Sequence, residues 1–423
     1  MEPAMTDPRP INEGQVTVIG AGIVGVCCAL YLQRDGLSVR LIDRGAPGEG
    51  ASYGNAGNLG FASCVPAAMP GVLKKVPRML FDADAPLKLR WSHLPRALPW
   101  FLRFIANAQT RRVEAIADAR DSLLKRLHEG YAPLIEDAGA EGLINPSGLL
   151  MTWESEEAFA GASYALDLRR RHGIAMDILD GHEARQIEPV LSRSVARAVF
   201  VPGLAHVVDP LKLTQTLARN FERRGGKILR SAVKGFEIGP DGPRRILTES
   251  GALDAGRIVI AAGVWSRALA AQVGTSVPLE AERGYHVMFA DPPVRLRVAV
   301  MSGDRYIAVT HMTGGVRATG VAEFAARDAS PDMANARLVR RHAQALIPGL
   351  KSDRLSEWMG PRPSHPDSKP VIGRSPRHAN VFFAFGHDHI GLALGGITGK
   401  LIGELVAGRK PSVDLHPFRP DRF

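Results

Sequence analysis

The chain has 423 residues, of which 45% are hydrophobic and 23% are charged, a composition that excludes a disordered protein and predicts two or three domains. The formal net charge of +10 means that nucleic acid and anionic lipid have to be considered as partners. The cysteines, Cys27, Cys28 and Cys64, lack the spacing of a zinc site or a disulfide framework, which excludes a metal–thiolate centre and favours a reducing compartment.

The N-terminal residues 1–14 contain no apolar run and therefore do not have the pattern of a secretory signal. The longest apolar stretch, 16–32, is interrupted by glycines, which favours a strand, a turn and a helix over a membrane span. We therefore predict a cytoplasmic protein without a transmembrane helix.

The first strongly patterned segment, 15–44, predicts a βαβ unit. Directly after its first strand, Gly20, Gly22 and Gly25 form the pattern G-x-G-x-x-G. These glycines allow a tight turn, the approach of a pyrophosphate and close packing of helix on strand, and the helix N-terminus stabilises the phosphates. Asp43 ends the second strand, where its carboxylate can accept hydrogen bonds from ribose hydroxyls. An ordinary glycine turn is the alternative. The strand, the glycine triplet, the helix, the second strand and its terminal acid all agree on a dinucleotide site.

The glycine-rich loop 44–60 is predicted to run along an extended dinucleotide and to bring Ser52, Asn55, Ala56 and Gly57 to it. A mobile surface loop is the alternative. The pattern G-A-S-Y-G at 50–54 also matches the nucleophile elbow of hydrolases. That elbow needs a strand before the serine and a helix after it, and proline and glycine flank Ser52 instead.

A proline-rich stretch from 66 leads into a helical pattern over 98–139, which predicts an inserted helical region. The segment 74–126 is strongly basic and carries Leu98, Phe101, Leu102 and Ile105 at helical spacing. Such a stretch is a candidate for peripheral contact with anionic lipid. A helix packed on its own protein is the more common use of this pattern.

The rest of the chain alternates between two kinds of pattern. A helix over 211–226 precedes three predicted strands, 227–238, 244–251 and 257–266. Four antiparallel-type strands and a helix follow over 284–350, and a buried strand, a glycine turn and a final helix are predicted over 380–410.

Several separated motifs resemble the D-amino-acid oxidase-like flavoproteins, most closely their D-amino-acid dehydrogenase branch, in the family's order and over nearly the whole chain. Beside the glycine pattern they are ASYGNAG at 51–57, RIVIAAGVWS at 257–266, WMGPRPSHPDSKPVIG at 358–373 and FGHDHIGLALGGITGKLI at 385–402. The resemblance implies an α/β fold in which an FAD-binding Rossmann-like domain is interleaved with an antiparallel-sheet substrate domain carrying a helical insertion. The FAD is expected to be noncovalent, since no histidine or cysteine stands where some relatives attach flavin.

The expected FAD-binding segments are 14–65, 201–280 and 359–423, and the substrate-side segments are 66–200, with the helical insertion, and 281–358. By resemblance, Val233 approaches the adenine and Gly263 the dinucleotide. The complete set of expected cofactor contacts is Gly20, Gly22, Ile23, Val24, Gly25, Asp43, Arg44, Ser52, Asn55, Ala56, Gly57, Val233, Ala262, Gly263, Trp265, Gly391, Leu392, Thr398 and Gly399.

Arg362 stands in the context where the family places its arginine for the substrate carboxylate, which a planar guanidinium binds bidentately. A structural ion pair, for example with Asp367, is the alternative. Tyr306 aligns with a carboxylate-contacting tyrosine of related glycine oxidases, although a half-buried strand tyrosine has the same pattern. Tyr285 and His286 are pocket candidates for which strand packing is the simpler interpretation.

His387 and His389 alternate along an apolar segment, but no third ligand has supporting spacing, so we predict no metal site. Nucleic acid is not expected as a partner because the chain has no RNA-binding signature, zinc finger or aromatic stacking ladder.

The implied reaction is oxidation of a small D-amino acid to an imino acid by hydride transfer to flavin, with electrons passing to a quinone or another non-oxygen acceptor. The pocket candidates Tyr285, His286, Tyr306 and His311 include no acid, which predicts poor binding of D-lysine and D-arginine and favours D-proline or a hydroxy-D-proline. An oxygen-using oxidase of the glycine or sarcosine type is one alternative. A noncatalytic dinucleotide-binding protein with a basic membrane-facing surface is another.

Overall fold

The computed structural model describes residues 14–60, 62–72, 82 and 84–423. Most of the N-terminal 1–14 segment and part of the basic 74–126 segment therefore lie outside the described residues. The strands are β1 (Gln15–Ile19), β2 (Ser38–Asp43), β3 (Asn58–Leu59), β4 (Leu87–Leu89), β5 (Ile144–Asn145), β6 (Leu149–Trp153), β7 (Asp177–Asp180), β8 (Arg197–Val201), β9 (Ala205–Val207), β10 (Lys227–Arg230), β11 (Val233–Gly239), β12 (Gly242–Thr248), β13 (Gly251–Asp254), β14 (Arg257–Ile260), β15 (Glu280–Phe289), β16 (Ala299–Ser302), β17 (Ile307–Met312), β18 (Gly315–Phe324), β19 (Leu355–Ser364), β20 (Val371–Arg374) and β21 (Val381–Phe385). The helices are α1 (Ile23–Arg34), α2 (Leu94–Asn107), α3 (Thr110–Leu124), α4 (Leu127–Ala138), α5 (Glu156–Ala160), α6 (Ser163–Arg171), α7 (Gly181–Ile187), α8 (Pro210–Arg223), α9 (Ser266–Gln272), α10 (Ala334–Leu346) and α11 (Gly391–Val406).

A six-stranded sheet in the order β10-β2-β1-β14-β21-β20 gathers strands from distant parts of the chain. All neighbouring pairs are parallel except β20 with β21. Strands β1, β14 and β21 are almost continuously apolar and buried, as expected when helices or loops cover both faces of a parallel sheet. The carboxyl ends of β1, β2, β14 and β21 therefore meet at one edge of the sheet.

A larger sheet runs in the order β19-β15-β18-β17-β16-β6-β8-β7, with β4 beside β18. Strands β15 and β19 pair antiparallel from Glu280 opposite Ser364 to Phe289 opposite Leu355. One face of this sheet packs on α10 through a core that includes Val287, Phe289 and Val339. These arrangements confirm the expected α/β fold, in which a Rossmann-like sheet is accompanied by a mainly antiparallel one.

The single strand predicted over 227–238 is wrong. Residues 227–230 form β10 in the parallel sheet, whereas 233–239 form β11 in a separate antiparallel sheet with β12 and β13. The chain changes sheet after Ser231, whose N–H donates to the carbonyl of Asp43, the last residue of β2. The predicted segment boundaries of the two domains stay a prediction.

Helix α11 lies in direct backbone contact with α1 and α4. A Cβ atom at Gly399 would stand 2.6 Å from the Cys27 backbone, and one at Gly396 would stand 2.6 Å from Gly130. On α4, Gly130 also has no room for a side chain, since a Cβ there would lie 2.2 Å from the backbone nitrogen of Ile397. Glycine at these positions allows the three helices to pack with their backbones in contact.

None of the helices in the described ranges is both long enough and apolar enough to span a bilayer.

Gly399→Ala should lower the free energy of unfolding by about 1–3 kcal/mol, because the new methyl group forces α11 away from α1. Chemical denaturation measures the change. Gly142→Ala is the control, since Gly142 is exposed and a Cβ there meets nothing within 4 Å. Equal stability of both variants would contradict the close packing of these helices.

Candidate active site

A cavity of about 1660 Å³ lies between the carboxyl edge of the parallel sheet and the β15–β18–β19 part of the larger sheet. Its volume exceeds that of an ordinary small-ligand pocket, so it has room for an extended cofactor together with a substrate. The predicted site residues that line it are Gly20, Gly22, Ile23, Val24, Asp43, Arg44, Ser52, Asn55, Ala56, Val233, Ala262, Gly263, Trp265, Gly391, Leu392, Tyr285, Tyr306 and Arg362.

The three glycines of the first turn have different physical roles. Gly20 has φ +110°, and a Cβ there would lie 2.4 Å from the Ala261 carbonyl oxygen. A Cβ at Gly25 would lie 1.8 Å from the Gly20 oxygen, so helix and strand leave it no space. By contrast, a Cβ at Gly22 would meet only the Ser52 hydroxyl, at 3.4 Å. Protein packing therefore requires glycine at the first and third positions, whereas at Gly22 the protein itself leaves space for a side chain on the cavity side.

Asp43 fixes the shape of this turn. Its Oδ2 accepts a hydrogen bond from the Ala21 N–H at 2.7 Å and its Oδ1 accepts one from Gly45 at 2.9 Å. Ser52 accepts a bond from the Ile23 N–H at 3.0 Å, at the N-terminus of α1. The carboxylate and the hydroxyl thus hold the loop against the helix end that would bind phosphate.

Arg44 and Trp265 form the wall beyond Asp43. The Arg44 guanidinium carbon lies 3.8 Å from the centre of the Trp265 ring, a cation–π geometry. A flat, positively charged surface of this kind suits a nucleotide.

Five predicted site residues lie behind the cavity wall. Gly25 and Gly399 are closed in by backbone, and Gly57, at φ +84°, faces the Val207 carbonyl. Thr398 is buried with its Oγ1 3.0 Å from His387 Nε2. His286 is fully buried and stacks on Trp358 with ring centres 5.1 Å apart. Direct contacts of these five residues with cofactor or substrate stay predictions.

Arg362 lines the cavity as part of an ion pair. Its Nη1 donates to Glu282 Oε1 at 2.7 Å and to the Val321 carbonyl at 3.2 Å. Gly284 makes room for the guanidinium, since a Cβ there would lie 2.2 Å from Nη2. Asp367, the ion-pair alternative named from the sequence, instead binds Arg422 and Lys369.

Glu282 overturns the expectation that no acid lies near Arg362. Sequence reasoning missed it because Glu282 is 80 positions away, and only the β15–β19 ladder brings it opposite Arg362. The signal that could have found it is the alternation along β15, which puts Glu282, Gly284 and His286 on one face of the strand.

A backbone irregularity positions the second hydrogen-bond acceptor of Arg362, the Val321 carbonyl. The β15–β18 pairing shifts register between Arg283 and Tyr285, and Val321 has φ +60°. A β-branched residue rarely adopts this conformation, which costs of order 1–3 kcal/mol. This strained irregularity within β18 directs the Val321 carbonyl to the guanidinium.

The predicted pocket tyrosines differ in availability. Tyr285 is buried and its hydroxyl donates to Glu323 Oε2, so burial and this carboxylate raise its pKa. Tyr306 is 51% exposed and has φ +51°, just before β17. Only Tyr306 of this pair therefore presents its side chain at the accessible surface of the cavity.

Ser364 and Asp388 were also missed. Ser364 Oγ lies 3.0 Å from Glu282 Oε2 and 2.9 Å from Asp388 Oδ1, and His389 Nδ1 lies 3.1 Å from Asp388 Oδ2. Asp388 adopts φ +53° in the turn after β21. Burial opposes ionisation of Asp388, but His389, Arg120 and Ser364 together hold its pKa below the usual range.

His387 and His286 are neutral at physiological pH, because burial lowers the pKa of each to about 3. Among the described residues, no group of three or more histidine, cysteine or acidic side chains is arranged to hold a metal ion.

The sequence profile of the family FAD dependent oxidoreductase matches residues 15–405. A D-amino-acid oxidase of Bradyrhizobium diazoefficiens is 38% identical over 415 residues, covering 96% of this chain and 98% of the relative. A D-amino acid dehydrogenase 2 of Mesorhizobium japonicum is 28% identical over 408 residues, covering 95% and 98%. The crystal structure of glycine oxidase from Geobacillus kaustophilus superposes with a TM-score of 0.75 at 23% identity, covering 97% of this chain and 99% of that one.

The chain therefore belongs to the FAD dependent oxidoreductase family, as its motifs indicated, and it is an FAD enzyme. The residues fit the cofactor: the open face of Gly22, the N-terminus of α1 and the Arg44–Trp265 wall suit a dinucleotide. The cavity continues from there to Arg362.

Gly22→Ala and Gly25→Ala should have different effects. We expect Gly22→Ala to retain the melting temperature of the apoprotein but to bind FAD at least tenfold more weakly, because its methyl group enters the ligand space. Gly25→Ala should lower the melting temperature itself. Thermal melts of apoprotein and fluorimetric FAD titrations measure the two quantities. Tight FAD binding by Gly22→Ala would show that the phosphates lie elsewhere.

Proposed function

We propose that this chain oxidises a small D-amino acid at its α-carbon, giving an imino acid that water hydrolyses to an oxo acid. The observation that carries the proposal is Arg362, held on the cavity wall by Glu282 and the Val321 carbonyl. The names of the curated relatives, a D-amino-acid oxidase and a D-amino acid dehydrogenase, support the same substrate class.

When bound, noncovalently by this proposal, FAD supplies the acceptor for the two electrons removed from the substrate. Arg362 binds the substrate carboxylate through its planar fork, and the β15–β19 ladder keeps that fork fixed relative to the rest of the cavity. Tyr306 contributes a second contact from the exposed side. These contacts orient the α-carbon while the buried walls limit water.

The finer proposal is a compact substrate, including cyclic secondary amines such as D-proline or a hydroxy-D-proline. Tyr306 is the side chain available to hydrogen-bond a ring hydroxyl, since the Tyr285 hydroxyl already binds Glu323. The sequence predicted poor binding of D-lysine and D-arginine because no acid was expected in the pocket. Since Glu282 is such an acid, basic D-amino acids belong in any test of specificity.

The function is tested by anaerobic reduction of the enzyme-bound flavin, with D-alanine, D-proline, cis-4-hydroxy-D-proline, D-lysine, D-arginine and the L-enantiomers as substrates. We expect bleaching by compact D-amino acids. Arg362→Lys should retain the flavin spectrum and lose on the order of 100-fold in kcat/KM, because lysine lacks the bidentate fork. No bleaching by any D-amino acid would reject the proposal, and unchanged kinetics of Arg362→Lys would place the carboxylate elsewhere.

The electron acceptor is proposed to be a quinone or another non-oxygen acceptor reached by peripheral contact with an anionic membrane. Helix α2 supports this contact: Trp100 packs inward against Phe324, while Leu98 and Leu102 are 47% and 59% exposed on the outer face. Exposed Arg96 and Arg103 flank them. An apolar stripe beside cations suits the interface of an anionic bilayer.

Stopped-flow reoxidation tests the acceptor, with oxygen compared against a quinone in phosphatidylglycerol vesicles. We expect faster reoxidation by the quinone, and a Leu98→Ser/Leu102→Ser variant should bind the vesicles at least fivefold more weakly. Ile238→Ser, at another exposed apolar residue, is the control and should bind like the wild type. Equally rapid reoxidation by oxygen would make the protein an oxidase, and unaltered vesicle binding would remove the membrane proposal.

A further inference from the structure

We propose that Glu282 accepts a proton from the α-ammonium group of the bound substrate, and that Ser364 and Asp388 position it for this transfer. The inference rests on the proposed function, because it concerns how an amino-acid substrate is bound and activated in the same cavity.

The Arg362–Glu282 pair has the charge pattern that complements an amino-acid zwitterion. The two residues are directly opposite in the β15–β19 ladder, their side chains are 25% and 16% exposed, and both line the cavity. An amino-acid zwitterion carries its carboxylate and its ammonium group on the same α-carbon. Bound antiparallel to the pair, it puts its carboxylate on the guanidinium and its ammonium on Glu282, so four charges alternate in sign.

The transfer is needed because oxidation at the α-carbon uses the nitrogen lone pair. In the ammonium form that pair is held in an N–H bond. Transfer breaks this bond, leaves its electrons on nitrogen and forms an O–H bond on Glu282, which becomes a neutral carboxylic acid. Substrate binding favours the step, since the substrate carboxylate offsets the positive charge of Arg362 that otherwise stabilises ionised Glu282.

Ser364 is arranged to follow this change of protonation. Its single hydroxyl hydrogen lies between two carboxylate oxygens, Glu282 Oε2 at 3.0 Å and Asp388 Oδ1 at 2.9 Å. While Glu282 is ionised, the hydroxyl can donate to it. Once Glu282 carries a proton on Oε2, the protonated oxygen donates to Ser364, and Ser364 donates to Asp388. The protonated state therefore has a hydrogen in both of these oxygen pairs, whereas the ionised state has a hydrogen in only one of them.

Asp388 is suited to remain the ionised end of this chain. It is buried, yet His389 and the Ser364 hydroxyl contact its two oxygens and Arg120 lies near enough to favour its charge. Its φ of +53° is a strained conformation for a non-glycine residue and turns the side chain toward Ser364.

The charged groups around Glu282 come from three elements. Arg362 lies on β19, and Asp388 and His389 lie in the turn after β21. On β15 itself, Glu280 is two residues away but binds Arg267 at 2.7 Å and His93 at 3.2 Å. Glu280 lies on the same strand and the same face as Glu282 but does not line the cavity, so it is a suitable control carboxylate.

Glu282→Gln separates proton transfer from structural support, because the amide oxygen can still accept from Arg362 while the side chain cannot take a proton. The experiment follows anaerobic flavin reduction by D-alanine, or by whichever D-amino acid reacts fastest, between pH 6 and pH 10. At pH 7 we expect on the order of 100-fold lower kcat/KM in the variant. The deficit should shrink about tenfold per pH unit as the free amine form of the substrate becomes available, since each unit of pH raises its fraction tenfold.

Three further measurements complete the test. Benzoate, a carboxylate without an amine, should perturb the flavin spectrum of Glu282→Gln with an affinity no weaker than that of the wild type. Ser364→Ala should move the rise of kcat/KM to higher pH, because the ionised form of Glu282 loses a hydrogen-bond donor. Glu280→Gln should retain the wild-type pH profile.

A wild-type pH profile in Glu282→Gln, merely scaled down, would overturn the inference, and so would loss of benzoate binding, which would make Glu282 a support for Arg362 alone. These outcomes leave the proposed function intact. A wild-type enzyme that is bleached by no D-amino acid but still binds benzoate would instead reject the function itself.

Discussion

Parallel pairing of β1 with β2 and β14 is the constraint on which the remaining structure depends. The carboxyl ends of parallel strands lie at one edge of the sheet, so the glycine turn after β1, Asp43 at the end of β2 and Gly263 after β14 meet there. With β21 beside β14, the turn holding Asp388 joins the same edge. A ligand that crosses this edge would meet chain segments more than 300 residues apart. The close glycine contacts of α11 with α1 and α4 hold together the helices that lie next to these segments.

Three of the five non-glycine residues with positive φ in the described part of the chain lie at the cavity or next to it. Tyr306, Val321 and Asp388 are non-glycine residues with positive φ, and each contributes to the cavity wall or to the hydrogen bonds of Arg362. Such conformations cost of order 1–3 kcal/mol each and persist only where the surrounding structure fixes them. The β15–β18 ladder fixes Val321, and contacts with Ser364 and His389 hold Asp388. The strain at Val321 therefore accompanies a fixed hydrogen-bond acceptor for the Arg362 guanidinium.

Each charged side chain of the site has a hydrogen-bonding partner. Arg362 is held by a carboxylate and a carbonyl, and Glu282 and Asp388 share one hydroxyl between them. A half-buried ion pair gains little stability for the fold once desolvation is counted. Its place in the cavity suits recognition of a ligand with both charges, and an amino-acid zwitterion has that pattern.

Local sequence patterns were sufficient to predict the dinucleotide-binding half of this protein. Gly20, Gly22, Gly25 and Asp43 lie within 24 residues, so local spacing sufficed to predict the βαβ unit, and the resemblance of later motifs supplied the family. The residues of the substrate half could not be predicted in this way, because they meet only through long-range strand pairing. Glu282, Ser364 and Asp388 come from three separate segments, and no local pattern relates them. Their meeting depends on the register of β15 with β19 and on one strained turn, and register is set by packing over the whole sheet. The division of the predicted strand 227–238 between two sheets is also a long-range effect, because β10 pairs with β2, nearly 190 positions away, whereas β11 pairs with its neighbour β12.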